Sequence, residues 1–285
     1  MFQTMSRALL ILLAAGVIAT ALAAPTPDSV PAPEEDTLQL PDMKVGGGAT
    51  LKDFAFPTKD AVTAPSFPAN DPLLKVQYPG TALFEGVATG RATVGVLLDQ
   101  AGRPLDFLLI RYTQPYFGQA LLEEAKDRDY TPKRLKGVAV PGAFTFSYHF
   151  EPPEGLTNIS SFDAVGRRLE EVQGGAGFVY EPHREAELDG GQLELIQVKI
   201  PVLPARLVPP DKRPVRVLVS FYVDEQGRVR LPEVESALAP DLVAHALQAL
   251  QQWAFKPPTI KAKPVLVRAM RAVTFREAPA AAKGR

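Results

Sequence analysis

The feature of this sequence that most constrains its fold is an internal repeat at one constant spacing. Seven residues recur 125 positions later in the same order and without insertions. Most of them are glycine, proline or aspartate, which form turns and begin or end helices and strands. A duplicated fold is therefore predicted. The pairs are Pro79 and Pro204, Asp99 and Asp224, Gly102 and Gly227, Arg103 and Arg228, Pro115 and Pro240, Pro132 and Pro257, and Phe150 and Phe275.

Composition limits the classes of function. The chain has 285 residues, of which 46% are hydrophobic and 22% charged, and its formal net charge is −1. At roughly 150 residues per domain, this length predicts two domains, the number that the repeat also gives. A nearly neutral chain without a basic stripe has no electrostatic reason to bind nucleic acid. Because the repeated positions are turn residues rather than reactive side chains, binding is favoured over catalysis.

The N-terminus has the pattern of a secretory signal. Arg7 precedes an apolar run from Ala8 to Ala19, and small residues end the segment at 21–23. We predict that residues 1–23 are a signal peptide and are removed after export. The alternative is an uncleaved anchor in the inner membrane, although so short and weakly apolar a run lies at the lower limit for crossing a hydrocarbon core of ~30 Å.

The rest of the chain divides into a linker, two domains and a tail. Residues 24–43 are rich in proline, alanine and acidic residues, which predicts a disordered linker. The first domain is predicted over 44–152 and the second over 153–277, with its core at about 200–277. Residues 278–285 are predicted to form a flexible tail.

Each repeat predicts two strands, a helix and a third strand. In the first repeat, alternating apolar residues predict a strand at about 91–98, and a turn at 99–103 leads to a second strand at 105–112. Pro115 begins a helix, because its missing N–H is not needed there. A third strand at about 142–150 carries aromatic residues on one face.

The second repeat predicts the same elements in the same order. A first strand ends at Val223, a second covers 229–236, an amphipathic helix covers 240–253, and a third strand covers about 265–275. Pro232 cannot donate to a strand ladder, so a bulge or an edge position is expected there. Between the repeats, the pattern predicts a helix at 161–173 and a strand at 193–198.

The second repeat resembles the C-terminal domain of the TonB family. The first repeat, from Tyr78 to Phe150, is similar but has no tryptophan before Pro132, and we interpret it as a divergent copy. The shared features are a strand that ends in Asp224, the turn with Gly227 and Arg228, a helix that ends in Trp253-Ala254-Phe255-Lys256-Pro257, and Pro264-Val265 before the last strand.

The resemblance implies an α+β fold of two tandem TonB C-terminal-like domains, each a three-stranded antiparallel sheet of order 2-1-3 with a covering helix. In the family, an extended peptide of an outer-membrane receptor adds to the edge of the last strand. We therefore predict a non-enzymatic periplasmic module that binds envelope proteins, outer-membrane receptors among them, by β-strand addition. The predicted partner-binding residues are Val265, Val267, Ala269, Arg271 and Val273 in the second repeat and Phe144, Phe146 and Tyr148 in the first.

Two alternatives stay open. One is a structural or dimerising envelope protein whose sheet edges are capped by the chain itself, with a homodimer as its expected form. The other is an inner-membrane-anchored energy transducer that serves transport through outer-membrane receptors. The apolar run lacks the histidine that a transducer of this family uses, and the 17 residues from Pro25 to Pro41 reach only ~50 Å as polyproline II. Both observations disfavour the transducer.

No residue pattern predicts a catalytic, cofactor or metal site. The histidines, at 149, 183 and 245, are not spaced as metal ligands, and the chain contains no cysteine. An exported enzyme, the third hypothesis, would need polar groups that converge in one pocket, which neither repeat predicts. We interpret the repeated Asp99, Gly102, Asp224 and Gly227 as structural turn residues.

Overall fold

The computed structural model describes residues 54, 56–57, 61–69, 75–152, 177–203, 215–236 and 239–277. The predicted signal peptide, the linker, the helix at 161–173 and the C-terminal tail lie outside these residues. The described part is an α+β structure in which every sheet of three strands is antiparallel.

The first repeat forms a three-stranded sheet with a helix on one face. Its elements and the strand before it are β1 (Val62–Thr63), α1 (Gly80–Glu85), β2 (Gly90–Leu98), β3 (Pro104–Tyr112), α2 (Pro115–Lys126), β4 (Lys133–Leu135), β5 (Val138–Val140) and β6 (Gly142–Phe150). Strand β2 lies in the middle and pairs with β3 on one side and β6 on the other. This is the predicted order 2-1-3.

Burial explains why β2 is the central strand. Its residues 92–98 are all buried, because α2 covers one face of the sheet and the second repeat covers the other. Val94 and Val96 pack with Phe117 and Leu121 of α2 in one hydrophobic cluster. Pro115 occupies the first turn of α2, where its missing N–H costs no hydrogen bond.

The second repeat has the same strand order. Its elements and those that precede it are β7 (Leu195–Gln197), β8 (Val202–Leu203), β9 (Arg216–Val223), β10 (Val229–Val234), α3 (Pro240–Leu250), β11 (Ala254–Phe255), β12 (Thr259–Ile260), β13 (Lys263–Pro264), β14 (Val267–Thr274) and β15 (Arg276–Glu277). Strand β9 lies between β10 and β14. Helix α3 packs its buried face against this sheet.

Several element boundaries differ from the predicted ones. Helix α3 ends at Leu250 rather than at residue 253, because the chain turns back there and Trp253 donates its backbone N–H to the Leu250 carbonyl. Strand β10 ends at Val234, two residues before the predicted end. Ser236 is outside the ladder, and its hydroxyl accepts a hydrogen bond from the Leu218 N–H. Hydrophobic periodicity does not indicate these hydrogen bonds at the ends of the two elements.

Pro232 lies in an edge strand at a bulge, as the sequence predicted. The pairing of β10 with β9 shifts register between Arg230 and Glu233. Leu231 has a φ of 45°, a conformation that is strained for leucine, and its side chain points away from the α3 cluster into a cluster shared by both repeats. The bulge therefore directs Leu231 toward the first sheet.

The two repeats have the same hairpin turn. Oδ1 of Asp99 accepts the backbone N–H groups two and four residues later at 2.7 and 2.9 Å. Oδ1 of Asp224 does the same at 3.1 and 2.9 Å. The Nε of Arg103 and that of Arg228 each lie 2.8 Å from Oδ2 of their aspartate. The repeated aspartate and arginine thus form the same hydrogen-bond network in both turns.

The two sheets pack against each other and share hydrophobic residues. Leu97, Leu108 and Ile110 of the first sheet form one buried cluster with Leu231 and Leu266 of the second repeat. Leu135 and Val140 of the β4–β5 hairpin join the main cluster of the second repeat. The prediction of two tandem domains is therefore not confirmed, because the first repeat contributes to the core of the second and a further cluster is shared by both.

Polar contacts join the repeats beside this cluster. The Arg230 guanidinium donates to both carboxylate oxygens of Asp106 at 2.7 and 2.6 Å and to the Phe107 carbonyl at 2.8 Å. The hydrogen bonds to Asp106 raise the pKa of Arg230, so the guanidinium keeps its charge. Lys133 pairs with Glu233, whose pKa is raised by burial although the lysine opposes this effect.

Candidate partner-binding edges

Strand β6 forms one outer edge of the first sheet. The Ala143 N–H donates to Oε2 of Glu233 at 2.5 Å, so this N–H points away from β2. Since backbone groups alternate in direction along an antiparallel strand, Thr145, Ser147 and His149 also direct their N–H and C=O groups outward. The side chains of these three residues are exposed.

The outer edge of β6 is open beyond Ala143. Among the described residues, no backbone hydrogen bond reaches Thr145, Ser147 or His149 from outside the sheet. The Ser147 hydroxyl contacts the Thr93 hydroxyl of β2 at 2.7 Å, a contact on the sheet face and not at the edge. A short row of backbone donors and acceptors therefore has no partner within the described chain.

The predicted residues of the first repeat lie on this strand but face the sheet with their backbone. Phe144, Phe146 and Tyr148 pair with Val96, Val94 and Ala92 of β2. Their side chains are half-buried on the α2 side of the sheet. The structure thus places these three aromatic side chains next to the open edge, while the outward backbone groups belong to their neighbours.

An aromatic surface borders the open edge on the α2 side. The ring of Phe67 meets the rings of Phe144 and Phe146 edge-on, with centroid distances of 5.2 and 5.0 Å. Tyr148 continues this surface and contacts the buried ring of Phe150 edge-on at 4.8 Å. Alternate side chains of a strand added to β6 would rest on these rings.

A polar cavity borders the edge on the opposite side, between β6 and the second sheet. Its volume is about 190 Å³. The Glu235 carboxylate accepts a hydrogen bond from the Ser220 hydroxyl at 2.5 Å. Burial raises the pKa of Tyr222, while the nearby charge of Arg268 opposes this shift. The lining residues are Ala143, Thr145, Ser220, Phe221, Tyr222, Leu231, Glu233, Glu235 and Arg268.

The predicted residues of the second repeat lie on β14, apart from Val265, which precedes it. The Arg268 N–H faces outward, because it donates to the His183 carbonyl at 3.1 Å. By alternation, the backbone groups of Val267, Ala269, Arg271 and Val273 face β9, their partner strand. Val265 donates its N–H to the Pro258 carbonyl at 3.0 Å.

The chain itself occupies both ends of the β14 edge. At the start of the strand, the His183 N–H donates to the Leu266 carbonyl at 2.8 Å, and residue 183 forms a parallel bridge with Val267. After the strand, β15 pairs with β8 in parallel, and Arg276 donates to the Pro201 carbonyl at 2.9 Å. The β14 edge is therefore less accessible than the β6 edge.

An ion pair holds the segment around His183 against β14. The guanidinium of Arg271 donates to both carboxylate oxygens of Glu185 at 2.6 Å each. Both side chains are about a quarter exposed. Within the same segment, the His183 ring hydrogen-bonds the Glu187 carboxylate at 2.8 Å and lowers the pKa of this carboxyl group. Of these two contacts, only the Arg271–Glu185 pair connects the segment to the strand.

We expect Glu185→Gln to loosen the contact at the start of β14. A hydrogen bond to a charged group is worth about 1.5 kcal/mol, so the amide of Arg268 should exchange with solvent on the order of tenfold faster. Hydrogen exchange read by NMR measures this rate. Glu187→Gln is the matched control, since Glu187 bonds within its own segment. Equal exchange at Arg268 in both variants would show that the ion pair does not hold the segment.

The polar contacts between the repeats were not predicted. Arg230, Asp106 and Glu233 stand at positions where the other repeat has leucine, namely 105, 231 and 108. A charged residue opposite an apolar one in a duplicated strand was the available signal. Among the described residues, no group of three metal-ligating side chains is found; His149 is exposed and His245 is half-buried.

Comparison with known proteins identifies the second repeat. The family model described as Gram-negative bacterial TonB protein C-terminal matches residues 214–276. A comparison with curated proteins gives no match. Within the described residues, no helix combines the length and the apolar character needed to cross a membrane. The first repeat is outside the matched range, so its interpretation as a divergent copy stays a prediction. The predicted resemblance is confirmed for the second repeat, whose residues 214–276 match the C-terminal domain of Gram-negative bacterial TonB proteins.

Proposed function

We propose that this protein is a periplasmic, non-enzymatic module that binds an extended segment of an envelope protein by β-strand addition to the outer edge of β6. The observation that carries the proposal is the row of outward backbone groups at Thr145, Ser147 and His149, which lacks a partner among the described residues. The match of the second repeat to the TonB C-terminal family supports a role in protein interaction in the envelope.

The surroundings of the edge favour a partner strand with two different faces. Side chains on the α2 side would contact the rings of Phe67, Phe144 and Phe146, which favours apolar or aromatic residues. Side chains on the other side would face the cavity with Glu235 and Arg268, which favours polar or charged residues. An alternating apolar and polar segment therefore fits best.

The alternative of a sheet edge that the chain caps itself fits β14 rather than β6. Residues 183 and 201–203 already pair around β14, as expected for an edge that the chain caps itself. The proposal therefore assigns partner binding to the first repeat, although the second repeat carries the family match. An outer-membrane receptor remains a partner class that fits, because such receptors offer extended periplasmic segments in this family.

The proposal is tested with peptides selected from a display library of random twelve-residue sequences on the mature chain, residues 24–285. A proline at position 147 removes one outward N–H and no N–H of the ladder with β2. We expect Ser147→Pro to weaken peptide binding at least tenfold, measured by titration calorimetry. Ser147→Ala is the matched control, because it also loses the contact with Thr93 but keeps the backbone N–H.

Hydrogen exchange locates the bound peptide and checks the fold. On binding, the amides of Thr145, Ser147 and His149 should become protected, while those of Phe146 and Tyr148 are protected already. Ser147→Pro should leave the amides of Phe146 and Tyr148 protected, which shows that the sheet persists. Protection at Met270 and Ala272 instead, or equal binding by the proline and alanine variants, would contradict the proposed site.

A further inference from the structure

Three arginine side chains lie on the facing sides of the two sheets without a carboxylate partner. Arg91 and Arg111 belong to the first sheet, and Arg268 belongs to β14 of the second. None of the three forms an ion pair with a described residue, whereas Arg230 and Arg271 each hold a carboxylate with two hydrogen bonds. Arg91 and Arg268 are exposed and Arg111 is half-buried, so solvent reaches all three charges. We call these three residues the arginine surface.

The first two arginines share an aromatic neighbour. The guanidinium carbons of Arg91 and Arg111 lie 5.1 and 4.8 Å from the centroid of the Phe178 ring. Such cation–π contacts fix the positions of both guanidinium groups but leave their charges uncompensated. Nε of Arg111 also donates to the Thr93 hydroxyl at 3.1 Å. The terminal N–H groups of Arg111 therefore stay available for a carboxylate, which an arginine binds best with two parallel hydrogen bonds.

Tyr222 connects Arg268 to this pair. Arg268 and Tyr222 are opposite residues on β14 and β9, and both line the cavity beside β6. Tyr222 also packs against the cluster that both repeats share, which includes Ile110, the residue before Arg111. Burial raises the pKa of Tyr222, and the positive charges of Arg268 and Arg111 both oppose this shift. Arginines from both repeats therefore approach the same tyrosine hydroxyl.

The acids of the cavity do not neutralise the arginine surface. Of the two acids among the lining residues, Glu233 pairs with Lys133, and Glu235 accepts a hydrogen bond from the Ser220 hydroxyl at 2.5 Å. The cavity thus adds one uncompensated negative charge to three positive ones, although the whole chain has a net charge of −1. A local excess of positive charge attracts acidic groups and favours them over basic ones.

The arginine surface adjoins the open edge of β6. The Thr93 hydroxyl that accepts from Arg111 also contacts the Ser147 hydroxyl at 2.7 Å. Arg91 is opposite His149 across β2 and β6. A strand added to β6 directs alternate side chains to the face that carries Ser147 and His149. It lies two strand spacings, about 10 Å, from β2, a gap that an arginine and a glutamate side chain span together.

We propose that the partner segment at β6 is acidic on the side that faces the second sheet, with aspartate or glutamate carboxylates that bind Arg91, Arg111 and Arg268. This inference rests on the proposed strand addition and specifies the chemistry of the partner. The segment then alternates acidic residues with the apolar residues that rest on Phe144 and Phe146. Because solvent reaches these ion pairs, binding should weaken as the salt concentration rises.

Peptides selected on the mature chain from the same library test this chemistry. Acidic residues should be enriched at every second position. The triple variant Arg91→Gln, Arg111→Gln, Arg268→Gln should bind the selected peptides at least about tenfold more weakly in titration calorimetry. Exchange of the peptide glutamates for glutamine should weaken binding similarly on the wild type, but less than about threefold on the triple variant. Arg216→Gln is the matched control, because Arg216 is exposed on the same face of β9 as Tyr222, six residues before it.

The outcomes separate this inference from the proposed function. The amides of Phe146 and Tyr148 should stay protected in the triple variant, which shows that the sheet is intact. Selected peptides that need the Ser147 N–H but have no excess of acidic residues would overturn the inference and keep strand addition. Acidic peptides that need the arginines but bind Ser147→Pro as well as Ser147→Ala would contradict strand addition and the placement of the acidic segment at β6. A selection without any binding peptide would overturn both, and binding of phosphatidylglycerol vesicles through the same arginines would then assign them to lipid phosphate.

Discussion

A Gly227→Ala variant is expected to lose about 4 kcal/mol of its free energy of unfolding, a loss at the upper end for a single substitution. Gly227 has a φ of +81°, which is costly for any residue with a side chain. An added Cβ would also lie 1.9 Å from the Phe255 carbonyl oxygen. The Phe255 N–H donates to the Gly227 carbonyl at 2.8 Å, so the turn and β11 cannot separate without losing this bond.

Two other glycines serve as matched controls for this prediction. Gly102 has a φ of +82°, and a Cβ there would lie 2.4 Å from the Tyr130 carbonyl oxygen. Gly137 has a φ of +79° and nothing within 4 Å of the added atom. We expect Gly137→Ala to lose only about 1 kcal/mol, and Gly102→Ala a value between those of the other two.

Urea unfolding of the three variants measures these losses as shifts of the transition midpoint at constant slope. We expect the loss of free energy of unfolding to decrease in the order Gly227, Gly102, Gly137. This order would show that contact of the added Cβ with the chain after the helix, and not φ alone, requires glycine in the turn. Equal losses in all three variants would show that φ accounts for the whole effect. A loss at Gly227 as small as that at Gly137 would mean that β11 moves away freely.

The repeated turns were predictable because their physics is local. The aspartate that accepts N–H groups two and four residues later needs no distant partner, and a glycine with positive φ is encoded at one position. The alternating strands and the helix start at Pro115 follow from the same short-range rules. Two strand orders of 2-1-3 then follow from the family resemblance, which the matched residues 214–276 support.

The state of each edge was not predictable from the sequence. The aromatic residues of β6 mark the side-chain face, whereas the direction of a backbone N–H depends on which neighbouring strand it pairs with. Local pattern also gave no sign that His183 would pair beside β14, 84 residues away along the chain. Both facts depend on contacts between distant segments, which are absent from short sequence patterns.

The packing of the repeats depends on distant contacts in the same way. Arg230 and Asp106 are separated by 124 residues, and neither belongs to the repeated set. Gly95 interrupts an apolar strand pattern, and the sequence alone does not say what approaches it. The structure supplies the answer, since Leu231 from the bulge of β10 fills the space above it. The contribution of this contact to the free energy of unfolding can be measured with substitutions at both positions.

A Leu231→Ala variant is expected to lose about 3 kcal/mol of its free energy of unfolding. Leu231 is 2% exposed and lies in the cluster that joins the two sheets, so its truncation leaves a cavity between Leu97, Leu108 and Ile110. Gly95→Ala should by itself lose about 1 to 2 kcal/mol, because its Cβ would lie 2.1 Å from Cδ1 of Leu231.

Combination of the two substitutions tests whether these residues meet. In the double variant, the Cβ at position 95 occupies space that Leu231 has vacated, so the total loss should be smaller than the sum by at least about 1 kcal/mol. Leu250→Ala is the control partner, because Leu250 is the last residue of α3 and is buried against the other face of the second sheet. Gly95→Ala and Leu250→Ala should therefore be additive.

The same measurements decide whether the repeats unfold together. A coupling between Gly95 and Leu231 requires that both sheets are folded in the state whose stability is measured, so a single transition should accompany it. If the losses at 95 and 231 are additive and two transitions appear, the repeats are separate folding units and the shared cluster does not stabilise them. A strand bound at β6 would then stabilise the first repeat alone, whereas coupled repeats would both become more stable.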